Sequence, residues 1–472
     1  MNNTHKRLSI MMLCCCAFWL TACSEDKAAK TEQAAKVSID KNPFPSRYTP
    51  LAGEPTLITN VTILDGIGNK IDKGMVYFAD GKIVEIGETL SVPDGVRTID
   101  GQGKWVTPGI IDVHSHLGVY PNPSTHSHSD GNEIVKPVTA NVWAEHSVWP
   151  QDPGFGRALA GGVTSLQILP GSANLFGGRS VVLKNVPHRT MQEMKFPDAP
   201  YGLKMACGEN PKRVYGKRGG PSTRMGNVAG YRQAWSDAQD YMRKWDQYEA
   251  DYEAGKNPKA PKRDLNLETL AGVLDGDIRV HMHCYRADEM AVMMDVMKEF
   301  NYQIYSFQHA VEAYKISDIL AENNVCSAMW ADWWGFKMEA YDGIRENVPM
   351  VHNAGACAIV HSDSDLGIQR LNQEAAKAWA DGRRAGIDIP QEDAWIWLSA
   401  NPAKSLGIFD KTGSLESGKN ADLVMWTANP FSTYARAEKV YIDGGLAYDL
   451  NDPQSWPVAD FELGQVGEGD SK

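Results

Sequence analysis

The stretch Pro108-Gly109-Ile110-Ile111-Asp112-Val113-His114-Ser115-His116 is an apolar, β-branched run opened by a turn signal and followed by Leu117-Gly118. That is the pattern of a buried strand leading into a loop. Side chains two apart on a strand face the same side, so His114 and His116 project together from its C-terminal end. Two neutral imidazoles held this way can grip one divalent metal. A His-x-His pair is common on ordinary strands, so its meaning depends on whether the rest of the chain supplies further ligands.

Outward from this stretch the pattern repeats. Apolar runs at Gly162–Leu169, Arg179–Lys184, Gly202–Cys207, Ile278–Cys284, Gln303–Ala310, Val325–Ala331 and Cys357–Asp363 alternate with helical stretches. With Ile110–His116 they make eight, and eight strands interleaved with helices predict a parallel (β/α)8 TIM-type barrel over residues 108–406. A doubly wound open sheet is the alternative, but no Gly-x-Gly-x-x-Gly turn follows a first strand. Short strands at Thr56–Leu64, Gly74–Phe78, Lys82–Ile86 and Val96–Asp100 precede the barrel, with a hairpin signal at Asp80-Gly81. Strands return at Leu423–Trp426 and Lys439–Ile442. Residues 48–107 and 407–450 are therefore expected to build one small β-sandwich domain together. The long connection Tyr231–Leu274 reads as a solvated helical surface, with a lid over the barrel as the alternative.

The 472 residues carry a net charge of −12, which argues against nucleic acid as a partner. Lys6 and Arg7 precede an apolar run, Leu8–Leu20, that is too short to span a bilayer. It ends in Leu20-Thr21-Ala22-Cys23, which resembles a bacterial lipobox. The expectation is a signal peptide over 1–22, lipidation at Cys23, a flexible tether over 23–47, and an acidic tail over 451–472. By resemblance to Gram-negative lipoproteins, Ser24 after the cysteine implies the outer membrane over the inner, on the periplasmic side, with membrane contact through the lipid anchor alone. Cys14, Cys15 and Cys16 leave with the signal. Cys207, Cys284, Cys326 and Cys357 lie in separate strand-like runs and are expected to be small apolar fillers. No disulfide framework is anticipated, and no Cys-x-x-Cys in the mature chain suggests a thiolate zinc site.

Barrel enzymes keep their chemistry at the C-terminal ends of the strands. Those ends carry His114 and His116, then Lys204 with Glu209 just beyond, then His281 and His283, His309, and Asp363. Of 12 histidines in the chain, five fall there, and the convergence is the signal.

Thr107-Pro108-Gly109-Ile110-Ile111-Asp112-Val113-His114-Ser115-His116 resembles the first-strand signature of the amidohydrolase superfamily of metal-dependent hydrolases. Gly413-Ser414-Leu415-Glu416-Ser417-Gly418-Lys419-Asn420-Ala421-Asp422-Leu423-Val424 resembles that family's return to its β-sandwich. The likeness is to the imidazolonepropionase-like and prolidase-like branch and covers nearly the whole mature chain. It implies two divalent metals, zinc first, with manganese, iron, cobalt or nickel as alternatives. It places His114 and His116 on one metal and His283 and His309 on the second. Asp363 binds the first metal and carries the proton as the catalytic residue. Lys204, as a carboxylated lysine, bridges the two, with Glu209 the alternative bridge and His281 the alternative to His283. Tyr285 and Arg286 are candidate substrate-binding residues, Arg286 equally a rim salt bridge. The implied reaction is hydrolysis of a C–N bond in a small-molecule amide, cyclic amide or peptide by a metal-activated hydroxide. A prolidase-like dipeptidase and a non-catalytic binding lipoprotein are the alternatives, and a homodimer is the default assembly.

Overall fold

The structure is a computed structural model that describes residues 34–456. The signal segment, Cys23 and most of the acidic tail lie outside the described residues.

Eight strands form one sheet: β1 (Ile110–Ser115), β2 (Val163–Ile168), β3 (Phe176–Lys184), β4 (Gly202–Ala206), β5 (Arg279–Cys284), β6 (Ile304–His309), β7 (Cys326–Met329) and β8 (Ala358–Val360). They are neighbours in chain order. Across the seam, the Asp363 N–H donates to the His114 carbonyl at 3.0 Å, so the sheet is a nearly closed barrel in a mixed α/β chain. All residues of β1, β2, β3 and β4 are buried. That is why their sequences are continuous apolar runs rather than alternating ones. Gly109 opens β1 because a Cβ there would collide with the Thr164 side chain on the neighbouring strand.

The expectation of a wholly parallel barrel needs correction. β3 runs antiparallel to both β2 and β4. Only residues 169–175 connect β2 to β3. Parallel neighbours need a crossover of about a dozen residues or more, so this short link can make only a hairpin. β3 therefore turns its N-terminal end, not its C-terminal end, toward the histidines.

The Tyr231–Leu274 connection is a wall rather than a lid. Helix Arg224–Glu253 and helix Leu265–Leu274 pack together on the barrel's flank. Trp235 is fully buried there, 5.1 Å from the Phe176 ring and 4.5 Å from the Tyr302 ring.

A second sheet combines both ends of the chain. Its strands run in the order Gly445–Asp449, Ala437–Ile442, Leu423–Trp426, Trp105–Pro108, Thr56–Leu64, Lys70–Ala79 and Lys82–Gly87, with Arg97–Asp100 also paired to Thr56–Leu64. Trp105–Pro108 pairs antiparallel with Leu423–Trp426 and so joins the two segments. Asp80-Gly81 makes the tight hairpin, both residues at positive φ. Lys184 at the end of β3 is buried between Asp422, at 3.2 Å, and Asp443, at 2.7 Å, pinning the barrel to this sheet. Residues 34–47 are extended and bound to the barrel. The Val37 N–H donates to the Tyr248 hydroxyl at 2.8 Å, and the Phe44 carbonyl accepts from Lys195. The Ala/Lys/Glu composition of this stretch reads as a free tether because it does not reveal such docking partners.

The four barrel cysteines are also corrected. Cys207–Cys284 and Cys326–Cys357 are disulfides, with Cα atoms 5.2 Å and 4.4 Å apart. Sequence separations of 77 and 31 hid them. Adjacent parallel strands, β4 with β5 and β7 with β8, bring the partners together.

Candidate metal centre

The C-terminal ends of β1, β5, β6 and β8 converge with Lys204 of β4. His114 on β1 donates from Nδ1 to the Gln308 Oε1 at 3.0 Å. His116 donates from Nδ1 to the Leu169 carbonyl at 2.9 Å, since a carbonyl can only accept. Both hydrogen bonds fix the tautomer and leave the Nε2 lone pairs free. Those two Nε2 atoms face each other at 3.3 Å. Asp363 Oδ1 lies 3.4 Å from one and 3.2 Å from the other. Two lone pairs and a carboxylate oxygen facing one point are the donor set of a cation site, and His114, His116 and Asp363 form such a group.

The second part of the cluster lies beside it. The His309 ring is 4.8 Å from that of His114 and 4.7 Å from that of His283, centroid to centroid. His283 and His309 are buried, and their Nδ1 atoms have no hydrogen-bond partner among the described residues. Burial holds the imidazoles of His114, His283 and His309 well below their usual range, with the Lys204 charge adding to it. They are therefore neutral and ready to donate lone pairs. Burial works to raise the Asp363 carboxyl, but contact with the His116 ring and nearby positive charge outweigh it and keep it ionised. His309 and Asp363 sit at φ of 72° and 48°, in the left-handed region that residues with a side chain adopt uncommonly.

Lys204 is wholly buried, its Nζ 3.4 Å from His114 Nε2 and 3.2 Å from the Pro170 carbonyl. Burial pushes its ammonium down to about 7, against the attraction of Asp363. The alternatives sit elsewhere. Glu209 is a rim residue paired with Lys337 at 3.1 Å. His281 lies opposite Lys204 on the next strand, with its Nδ1 2.9 Å from Ser306 Oγ. Ser306 also accepts from Gln308 Nε2 at 2.7 Å, so His281 ends a chain that supports His114 from below. Arg286 is a surface residue gripping Asp288 with two bonds of 2.9 Å. Tyr285 is buried against the His283 ring at 4.6 Å, and burial keeps its phenol protonated. Trp330 stacks on His309 at 4.3 Å and donates to the Ser362 carbonyl.

Sequence reading missed His361. It forms a second possible donor group with His114 and His309. Burial lowers it to about 3, and both of its ring nitrogens lack partners among the described residues. The signal was present: His361 and Asp363 are two apart at the end of β8, the same spacing as His114 and His116. Two residues with orienting roles were also missed, Asp112 and Gln308.

The sequence profile of the amidohydrolase family matches residues 105–447, most of the chain. The chain belongs to the amidohydrolase family. Within that family it is 31% identical to the amidohydrolase tasK of Hapsidospora irregularis, over 85% of this chain and 44% of that protein. This amidohydrolase thus spans less than half of that relative's length. It is 22% identical to the imidazolonepropionase of Mesorhizobium japonicum, over 77% of this chain and 89% of that one. An amidohydrolase from Thermotoga maritima superposes with a TM-score of 0.76 at 36% identity, covering 84% of this chain and 100% of that one. Hydrolases of this family act on C–N bonds and typically hold divalent metal.

Proposed function

We propose that this chain is a binuclear metal hydrolase that cleaves a C–N bond in a small cyclic amide or peptide, outside the cytoplasm. The observation that carries the reading is the pair of Nε2 lone pairs of His114 and His116, aimed at each other beside Asp363. Neutral, buried imidazoles with unpartnered nitrogens at His283 and His309 fit a second ion. His114, His116 and Asp363 would hold one metal, His283 and His309 the other, and Lys204 would bridge them as a carbamate. Only a neutral amine takes up carbon dioxide, and the burial of Lys204 favours that form. Divalent metals bound there supply an acidified water and a Lewis acid for a carbonyl oxygen.

The chain's own groups do the rest. Asp363 takes a proton at its carboxylate and returns it to the leaving nitrogen. The Tyr285 phenol, kept protonated by burial, would donate to the substrate. Trp330, with Trp333 stacked on it at 6.0 Å, offers an apolar wall and limits water on that side. Arg286 is committed to Asp288, so carboxylate recognition is not assigned to it.

The two disulfides support a location in an oxidising compartment, in keeping with a lipid anchor at Cys23 in the periplasm. Among the described residues no helix is long and apolar enough to cross a membrane. The test is a panel of cyclic amides, dipeptides and N-acyl amino acids offered to metal-loaded protein and to Asp363→Asn. Turnover lost in that variant supports the reading. Binding without turnover across the panel contradicts it and favours a binding lipoprotein.

A further inference from the structure

We infer that the Cys207–Cys284 disulfide is a positioning element for His283 and hence for the second metal; this rests on the two-metal reading. His114 and His116 are each held by a hydrogen bond from Nδ1 to a protein acceptor. A metal-binding histidine is ordinarily oriented in this way through its other ring nitrogen. His283 differs. Its Nδ1 has no partner among the described residues, and its ring contacts a polar group through Nε2, 3.3 Å from Asn210 Nδ2.

Beside the packing of its ring on Tyr285 and His309, His283 is fixed by the backbone around it. The next residue, Cys284, is covalently joined to Cys207. The Cys207 N–H donates to the His283 carbonyl at 2.9 Å, and the Ala310 N–H donates to the Cys284 carbonyl at 3.1 Å. These links tie together the ends of β4, β5 and β6, the strands that carry Lys204, His283 and His309. Asn210 itself lies three residues beyond Cys207, on the segment that the bridge anchors. Both sulfurs belong to buried residues. The other disulfide provides an internal control. Cys326–Cys357 joins the beginnings of β7 and β8, at the opposite end of the strands from the histidines.

The test compares metal retained after dialysis, by elemental analysis, in wild type, Cys207→Ala/Cys284→Ala and Cys326→Ala/Cys357→Ala. The visible spectrum of the cobalt-loaded proteins gives a second readout. Loss of an orienting group weakens metal binding about 10–100-fold. The first double variant should therefore keep about one metal per chain, where wild type and the second double variant keep about two. Equal retention by all three overturns the inference and leaves the two-metal reading standing. Fewer than two metals in wild type overturns both.

Two further results stand apart from whether that variant folds. Peptide mapping of the wild type must find Cys207 joined to Cys284, and free thiols there overturn the inference. Asn210→Leu keeps the bridge and removes the ring contact, so it should retain both metals. Loss of the second metal in Asn210→Leu makes the ring contact the positioning element and overturns the inference.

Discussion

The carboxylate of Asp112 accepts hydrogen bonds from both the backbone N–H of Ser362, at 3.2 Å, and the Ser362 hydroxyl. It also accepts from the His114 N–H at 3.1 Å. Asp112 therefore clasps β1 to the end of β8 and sets His114 opposite Asp363. Ser362→Ala removes the hydroxyl and leaves every ligand in place. We expect it to lose about 1–3 kcal/mol of stability, the usual cost of leaving a buried polar group without its hydrogen-bond partner. Urea unfolding reads this directly, and an unchanged midpoint would count against the clasp.

Much of this was readable from the chain alone, and the reasons are physical. Buried barrel strands are continuous apolar runs, so all eight stand out. The Asp80-Gly81 turn declares itself because both residues adopt positive φ, which Asp and Gly tolerate best. The direction of β3 was not legible from its apolar pattern, which is the same whichever way a buried strand runs. The disulfides were hidden because strand adjacency, not sequence spacing, pairs the cysteines. The clustered histidines showed through their place at strand ends. His361 did not, because a lone strand histidine has the same sequence pattern whether it faces a site or the core. Glu209 and His281 show the limit: both stand near a strand end, and only the fold reveals that one faces Lys337 and the other Ser306.

Lys204 gives a second prediction. If it bridges as a carbamate, wild-type apoprotein reconstituted with metal should gain activity with added bicarbonate. Lys204→Glu supplies a permanent carboxylate and should be insensitive to bicarbonate, while Lys204→Ala should lose about 10²-fold or more in kcat/KM. Equal bicarbonate dependence in wild type and Lys204→Glu would remove the carbamate.

Acid should destabilise the metal-free chain. Burial lowers His281 and His361 to about 3 and depresses His114, His283 and His309 as well. A histidine depressed in the native state is neutral there, whereas it takes up a proton near 6.5 once unfolded. The unfolded chain then binds more protons, so stability is fully present above pH 6.5 and falls as pH drops from 6.5 toward 3. Thermal unfolding of apoprotein at pH 7.5 and pH 5 should show the lower midpoint at pH 5. A higher midpoint at pH 5 would reverse the sign.

At the junction of the two sheets, Lys184 is buried between Asp422 and Asp443. Lys184→Ala leaves two buried carboxylates uncompensated and should cost about 3–5 kcal/mol. It lies away from the ligand cluster, so the metal content of the folded fraction should be unchanged. A variant that unfolds like wild type would show that the pair carries no net stability.

On the proposed reading these strand ends hold two metals. Elemental analysis of protein lacking residues 1–23, made under oxidising conditions with bicarbonate, tests it most directly. The expected result is about two divalent metals per chain, about one in His283→Ala, and essentially none in a folded His114→Ala/His116→Ala/His283→Ala variant. A wild-type chain that stays metal-free after soaking in zinc or manganese would contradict it.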